Sequence, residues 1–242
     1  MKSLRLKRAV RAALLVLLLS AVGMTKAYAY DFSAVCSTGQ TLYYNITDAE
    51  NHYVALVAPA GWYGWYGYTE PTGDIVLPET VQNDGISYTV TSIGYRAFES
   101  CSSLTSVEIP NSVTSIGEWA FSGCSGFTGS LTIPNSVTTI GEYAFRYCSG
   151  FTSLFCCTET PPALQSSSFD GWNHNIPVHV PCGSEEAYSS ISWGGFSNFI
   201  GMCSNYTVIV EASPEEGGTV SGGGVFNYGE VCSLSATPNE GY

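Results

Sequence analysis

Short runs of alternating apolar and polar residues end at proline, and the order returns along the chain. Val107-Glu108-Ile109-Pro110, Leu131-Thr132-Ile133-Pro134 and Val178-His179-Val180-Pro181 are such runs. Ile75-Val76-Leu77-Pro78 precedes them, and Leu154-Phe155-Cys156-Cys157 fits between them with cysteine in place of proline. Two-residue alternation predicts strands buried on one face, so the outer residues of each run point inward and the middle one outward. After each run comes a turn and then a second phrase. Ile93-Gly-Tyr-Arg-Ala-Phe98 recurs as Ile116-Gly-Glu-Trp-Ala-Phe121 and Ile140-Gly-Glu-Tyr-Ala-Phe145, and returns degraded as Leu164-Gln-Ser-Ser-Ser-Phe169. The phenylalanines are 23, 24 and 24 residues apart.

A fixed period of this length is the signature of a solenoid, in which each coil stacks only on its neighbours. The expected fold is mainly β: a short right-handed solenoid of four or five coils. Ile116, Ala120 and Phe121 should close the core from the wall opposite Val107 and Ile109. Cys101, Cys124 and Cys148 recur with the period. Recurrence implies one structural slot, the coil interior, where cysteine acts as a small hydrophobe, rather than disulfides between coils. Cys156 stands in the inward slot of Ile109 and Ile133 and is expected to be buried too. A solenoid presents a long surface rather than a pocket, which favours binding over catalysis.

The flanks read differently. Thr41–Ile46, Tyr53–Val57 and Ile86–Val90 alternate as strands. The last of them follows the turn Asn83-Asp-Gly85, and Gln82–Val90 forms an insertion that lengthens the first repeat. The expected division is a signal peptide over 1–29, an N-terminal β cap over 30–74, the solenoid with its closing cap over 75–203, and a partial β module over 204–242. Ser184–Ser189 is expected to be a short helix, with Trp193, Phe196 and Phe199 sealing the last coil. The turn at Asn239-Glu-Gly241 should lead into further chain, so the sequence is read as cut short.

The leader carries Lys2, Arg5, Lys7, Arg8 and Arg11, then an apolar run over Ala12–Val22 and the small-x-small site Ala27-Tyr28-Ala29. This is the layout of a secretory signal, and its apolar run is short for a membrane span of about 20 residues. Beyond residue 29 the only basic residues are Arg96 and Arg146, set against 20 carboxylates, a formal charge of about −18. A chain this acidic repels phosphate backbones and anionic membrane surfaces, so nucleic acid is excluded as a partner and no membrane insertion is expected after signal cleavage. Nine cysteines in a secreted chain suggest disulfides, and an odd number leaves at least one thiol over. Cys36, Cys157, Cys182, Cys203 and Cys232 lie outside the periodic slot, and Cys182 with Cys203 is the pair expected if one closes.

The stretch Cys101-Ser-Ser-Leu-Thr-Ser-Val-Glu-Ile-Pro-Asn-Ser-Val-Thr-Ser-Ile-Gly-Glu-Trp-Ala-Phe121 resembles the BspA-like, Treponema-type leucine-rich repeat. The resemblance covers residues 75 to 181. Val180-Pro-Cys-Gly-Ser-Glu-Glu-Ala-Tyr188 is similar to the ending of such arrays in Bacteroides-type surface proteins, although those have alanine where Cys182 stands. Residues 206 to 242 resemble the start of a Listeria–Bacteroides repeat of the internalin B-repeat type. The resemblance implies a secreted or cell-surface protein, often an adhesin for host matrix or other bacteria, and leaves the ligand open.

Two candidate binding surfaces follow. Val76, Glu108, Thr132, Phe155 and His179 are the outward strand positions. Strands about 4.8 Å apart would set them in a ladder suited to a host or bacterial surface or matrix protein, with Phe155 as anchor; the alternative is an ordinary surface beneath a flanking module. Gly61-Trp-Tyr-Gly-Trp-Tyr-Gly-Tyr68 gathers five aromatics, Trp62 and Trp65 among them, on what reads as a mobile loop. Such rings suit a glycan, or else fold back over the cap. A third possibility is a spacer for modules beyond residue 242. His174, His179 and Cys182 lack the firm spacing of a zinc site, and no calcium loop is present. There is no Gly-x-Ser-x-Gly elbow, phosphate loop or His-Glu-x-x-His motif. No catalytic residue, metal or cofactor is therefore assigned, and the expected role is non-enzymatic.

Overall fold

A computed structural model describes residues 30–203, 206–212, 217–226 and 233–239. The leader assigned to residues 1–29 and Cys232 lie outside these. The chain begins with an antiparallel meander, β1 (Phe32–Val35), β2 (Thr41–Asp48) and β3 (Tyr53–Val57). β4 (Gly73–Val76) straddles the expected cap boundary, and β5 (Thr80–Asn83) and β6 (Ile86–Ile93) form the inserted hairpin. Asp84 and Gly85 at its tip have φ of 52° and 77°, the two positive values a type I′ turn requires.

The repeats then alternate longer and shorter strands. β7 (Leu104–Glu108), β9 (Gly129–Ile133), β11 (Phe151–Cys156) and β13 (Val178–Pro181) are the proline-ended runs. β8 (Ser115–Ile116), β10 (Thr139–Ile140) and β12 (Ala163–Leu164) open the phenylalanine phrases. Helix α1 (Glu185–Ser189) and β14 (Phe199–Met202) close the array, and the disulfide Cys182–Cys203 ties its two ends. Farther on, β15 (Tyr206–Val208) pairs with β17 (Gly224–Phe226), and β16 (Gly218–Ser221) with β18 (Ser235–Pro238), both antiparallel.

Three walls enclose the core. The short-strand wall runs β1-β2-β3-β6-β8-β10-β12, parallel from β3 onward, so the cap is its first rung rather than a separate layer. The strand wall is β9-β11-β13-β14, with β4 and β7 paired apart from it. The expected continuous ladder is thus interrupted between β7 and β9. The coil from Cys124 to Pro134 is one residue longer than that from Cys101 to Pro110. Gly129, with φ of 74°, sits within this longer stretch. Only the Thr128 N–H to Thr105 C=O bond, 3.1 Å, is found across the gap among the described residues.

The third wall is a ladder of turns. Phe98 N–H donates to Ala120 C=O (2.7 Å), Phe121 to Ala144 (2.7 Å) and Phe145 to Ser168 (2.8 Å), each coil donating to the next. Inside, Phe98, Phe121, Phe145 and Phe169 stand in single file with centroids 5.1, 5.2 and 5.6 Å apart and planes within 7° of parallel. Trp65 covers the first ring at 6.3 Å, and Trp193 and Phe196 cover the last at 5.4 Å. The apolar ends a solenoid would otherwise expose are sealed by indoles.

The cysteine slot lies beside this file, and Cys101, Cys124, Cys148 and Cys156 are fully buried. Cys124 Sγ donates to Phe98 C=O (3.0 Å) and Cys148 Sγ to Phe121 C=O (3.1 Å). Trp172 holds the same slot in the last coil, its Nε1–H donating to Phe145 C=O (2.8 Å). Burial pushes the Cys124 and Cys156 thiols well up, so they remain unreactive small hydrophobes.

Candidate functional site

On the strand wall, Thr132, Phe155, His179 and Ile200 share one register row across β9, β11, β13 and β14. The Phe155 and His179 rings stack at 4.5 Å, 19° apart. Thr132 is exposed, Phe155 and His179 are half-buried, and Ile200 is 37% exposed. Desolvation holds the His179 imidazole below its ordinary pKa, favouring the neutral ring that stacks well. Glu108 pairs with Val76 on the far side of the interruption and does not join this row. Nearby, Asp74 accepts from Thr105 Oγ1 (2.7 Å) and Ser106 Oγ (2.6 Å), bonds that hold its carboxylate below the usual range.

The aromatic loop departs from expectation. Gly61–Tyr63 is a 3-10 turn, and turn bonds such as Ala60 N–H to Gly64 C=O (3.0 Å) order the segment. Trp65 is no surface residue: it is 4% exposed, and its Nε1–H donates to Ala97 C=O at 3.0 Å. An indole that caps the phenylalanine file cannot also meet a ligand, and Trp65 leaves the candidate set. Trp62, Tyr63 and Tyr66 stay outside, with Trp62 70% exposed.

Trp62 opens a stripe along the ladder of turns. The Arg96 guanidinium lies 5.1 Å from the Trp62 ring, 5.1 Å from Tyr95 and 5.5 Å from Trp119. Trp119 packs on Tyr143 at 4.6 Å. The Arg146 guanidinium lies 5.7 Å from Trp119, 4.9 Å from Tyr143 and 4.3 Å from Tyr147. Arg96 also meets Glu99 at 3.2 Å, and Arg146 meets Asp170 at 2.9 Å. Burial opposes the charge of Arg146, yet the Asp170 bond prevails and its pKa is raised. Arg96 Nε is buried without a hydrogen-bond partner.

Sequence reasoning missed this stripe. Its signal was the residue two before each phenylalanine, Arg96, Trp119, Tyr143 and finally Ser167. All four have φ between 53° and 59°, a left-handed conformation that costs about 1–2 kcal/mol without glycine. Period-two reasoning covers strands and says nothing of a turn ladder. Beside Ser167 the surface sinks into a cleft of about 320 Å³ whose lining includes Gln165, Asp170 and His174.

No described group of histidine, cysteine and carboxylate side chains could hold a metal ion. No described helix is long and apolar enough to cross a membrane.

Residues 79–189 match the model of the BspA type leucine rich repeat region in six copies, where the phrases alone predicted four or five coils. This segment is a BspA-type leucine-rich-repeat region. Such a region points to recognition at a cell surface. The chain is similar to a leucine-rich repeat protein of Bacteroides capillosus, with 22% identity, 62% of this chain and 99% of that one covered, and a TM-score of 0.48. It is similar to the Treponema pallidum leucine rich repeat protein (19% identity, 57% and 68% covered, TM-score 0.42). A leucine rich cell surface protein of Faecalibacterium prausnitzii also matches (18% identity, 70% and 54% covered, TM-score 0.36). No curated protein matches the chain.

Proposed function

We propose that this is a secreted or cell-surface, adhesin-like recognition protein that binds a protein ligand through its strand wall, without catalysis. The observation that supports this most is the row Thr132–Phe155–His179–Ile200, in which stacked aromatic rings at the centre are flanked by exposed positions. Rigid rings held by neighbouring strands lose little entropy on contact, which is the usual make-up of an interface anchor. The acidic charge of the chain steers it toward neutral or basic proteins and away from polyanions. Glu108, beyond the interruption, would lie outside the contact.

The test is capture from a panel of purified host matrix and bacterial surface proteins. Replacing Phe155 and His179 together by serine should abolish capture while leaving the melting curve near that of the parent. Capture that survives the double substitution would move the site off this wall.

A further inference from the structure

The geometry points to a second binding site, for a neutral polysaccharide, along the stripe of aromatic and arginine side chains on the ladder of turns. This goes beyond the protein-ligand reading and is independent of it, because none of its residues lies on the strand wall.

Three observations converge. First, both basic residues found beyond the leader, Arg96 and Arg146, lie in this stripe, each bordered by rings on more than one side. Chance placement in a chain with 20 carboxylates would not gather them there. Second, Arg96, Trp119 and Tyr143, two residues before the phenylalanine, and Tyr147, two residues after it, all occupy left-handed positions, although the second of these slots takes glycine at Gly123 and Gly171 and serine at Ser100. Bulky side chains kept at a backbone cost point to use rather than to folding convenience. Third, the rings stop where the period continues. Ser167 takes the slot in the last coil, and the surface opens there into the 320 Å³ cleft, reached across the Arg146–Asp170 pair. The stripe is therefore a platform that ends in a seat.

The chemistry selects the ligand. Trp62 and Tyr147, the exposed rings at the two ends of the stripe, can take the flat C–H face of a hexose whose hydroxyls are equatorial, and the half-buried Tyr95, Trp119 and Tyr143 between them present ring edges. Glu118 and Asp170 beside those rings offer acceptors, and the guanidiniums offer planar donors, matching dense hydroxyls. Each guanidinium is already paired with a carboxylate, so the stripe supplies donors without net positive charge. Sulfated and carboxylated glycans would meet the field of about −18 charges and be repelled. From Trp62 to Tyr147 the platform crosses three coil steps of about 4.8 Å each, enough for several sugar rings. The terminal ring would enter the cleft among Gln165, Ser167, Asp170 and His174.

The test uses the full secreted chain in native affinity gels containing a soluble β-linked glucan, a galactan or a mannan, with polygalacturonate and chondroitin sulfate as acidic counterparts. At least one neutral polymer should retard the protein, and the acidic ones should not. Trp62→Ser with Tyr147→Ser, two exposed positions that leave the core intact, should weaken retardation about tenfold or more. Ser167→Tyr should fill the cleft and weaken it separately, with an unchanged melting temperature in both variants. The Phe155→Ser, His179→Ser double variant should bind the glycan as the parent does. No retardation by any neutral polymer, equal retardation of the Trp62 and Tyr147 variant, or stripe-dependent binding of an acidic glycan or a basic protein would each overturn the proposal.

Discussion

One ring per coil sets both the stability and the spacing of this molecule. Phe121 lies between Phe98 and Phe145 at 5.1 and 5.2 Å and is completely buried. Phe121→Ala removes its transfer energy, leaves a cavity and breaks two stacked pairs, so the expected loss is about 3–5 kcal/mol. Urea unfolding should show the midpoint shift, and a midpoint equal to the parent's would contradict the packing of the file. His179 makes a subtler contribution. Its pKa in the fold lies below the ordinary 6.5 because of desolvation. The unfolded chain therefore takes up the proton first as pH falls, and stability supplied by the neutral ring is present above about 6.5 and lost below it. Unfolding midpoints at about pH 8 and about pH 5 should differ less in His179→Gln than in the parent. An identical difference in both proteins would remove His179 from the acid response.

At the scale of the element, the phrase glycine is the point of closest approach between coils. A Cβ on Gly141 would lie 2.5 Å from Glu118 N and 2.7 Å from Gly117 C, all rigid backbone. Gly117 meets Gly94 and Ile93 in the same manner. Gly141→Ala should push two coils apart and cost about 1–3 kcal/mol through overpacking, read as a lower melting temperature. A melt unaffected by this change would mean the short-strand wall tolerates wider spacing. The inserted hairpin, by contrast, leans out of the period without disturbing it, because β6 runs straight into the Ile93 phrase and pairs with both β3 and β8.

At the scale of the whole molecule, most of the architecture was legible in the sequence, and the exceptions have physical causes. Proline-ended runs and the Ile-Gly-x-x-Ala-Phe phrase announce their strands because apolar period and turn chemistry agree. The same agreement placed Cys101, Cys124 and Cys148 inside, and Cys182 did pair with Cys203. Trp62 and Trp65 occur in near-identical Gly-Trp-Tyr contexts, so the sequence left open which rings meet a ligand and which fold back over the cap; Trp65, packed on Phe98, is the one that folds back. The outward row was read as five residues long, whereas the extra residue near Gly129 separates Glu108 from Thr132. The arginine stripe escaped notice because its side chains come from three coils and one loop, a proximity that no local spacing encodes.

The interruption between β7 and β9 has a mechanical meaning. If this protein tethers one body to another, tension along the stacking axis loads every coil boundary in series. Elsewhere three backbone walls resist together, but at this seam the strand side offers a single bond, and the short-strand wall and the ladder of turns carry the rest. The seam is where a stretched molecule would yield first. It would part into a capped front piece and a disulfide-closed rear piece, so the extra residue near Gly129 also sets where the tether gives way.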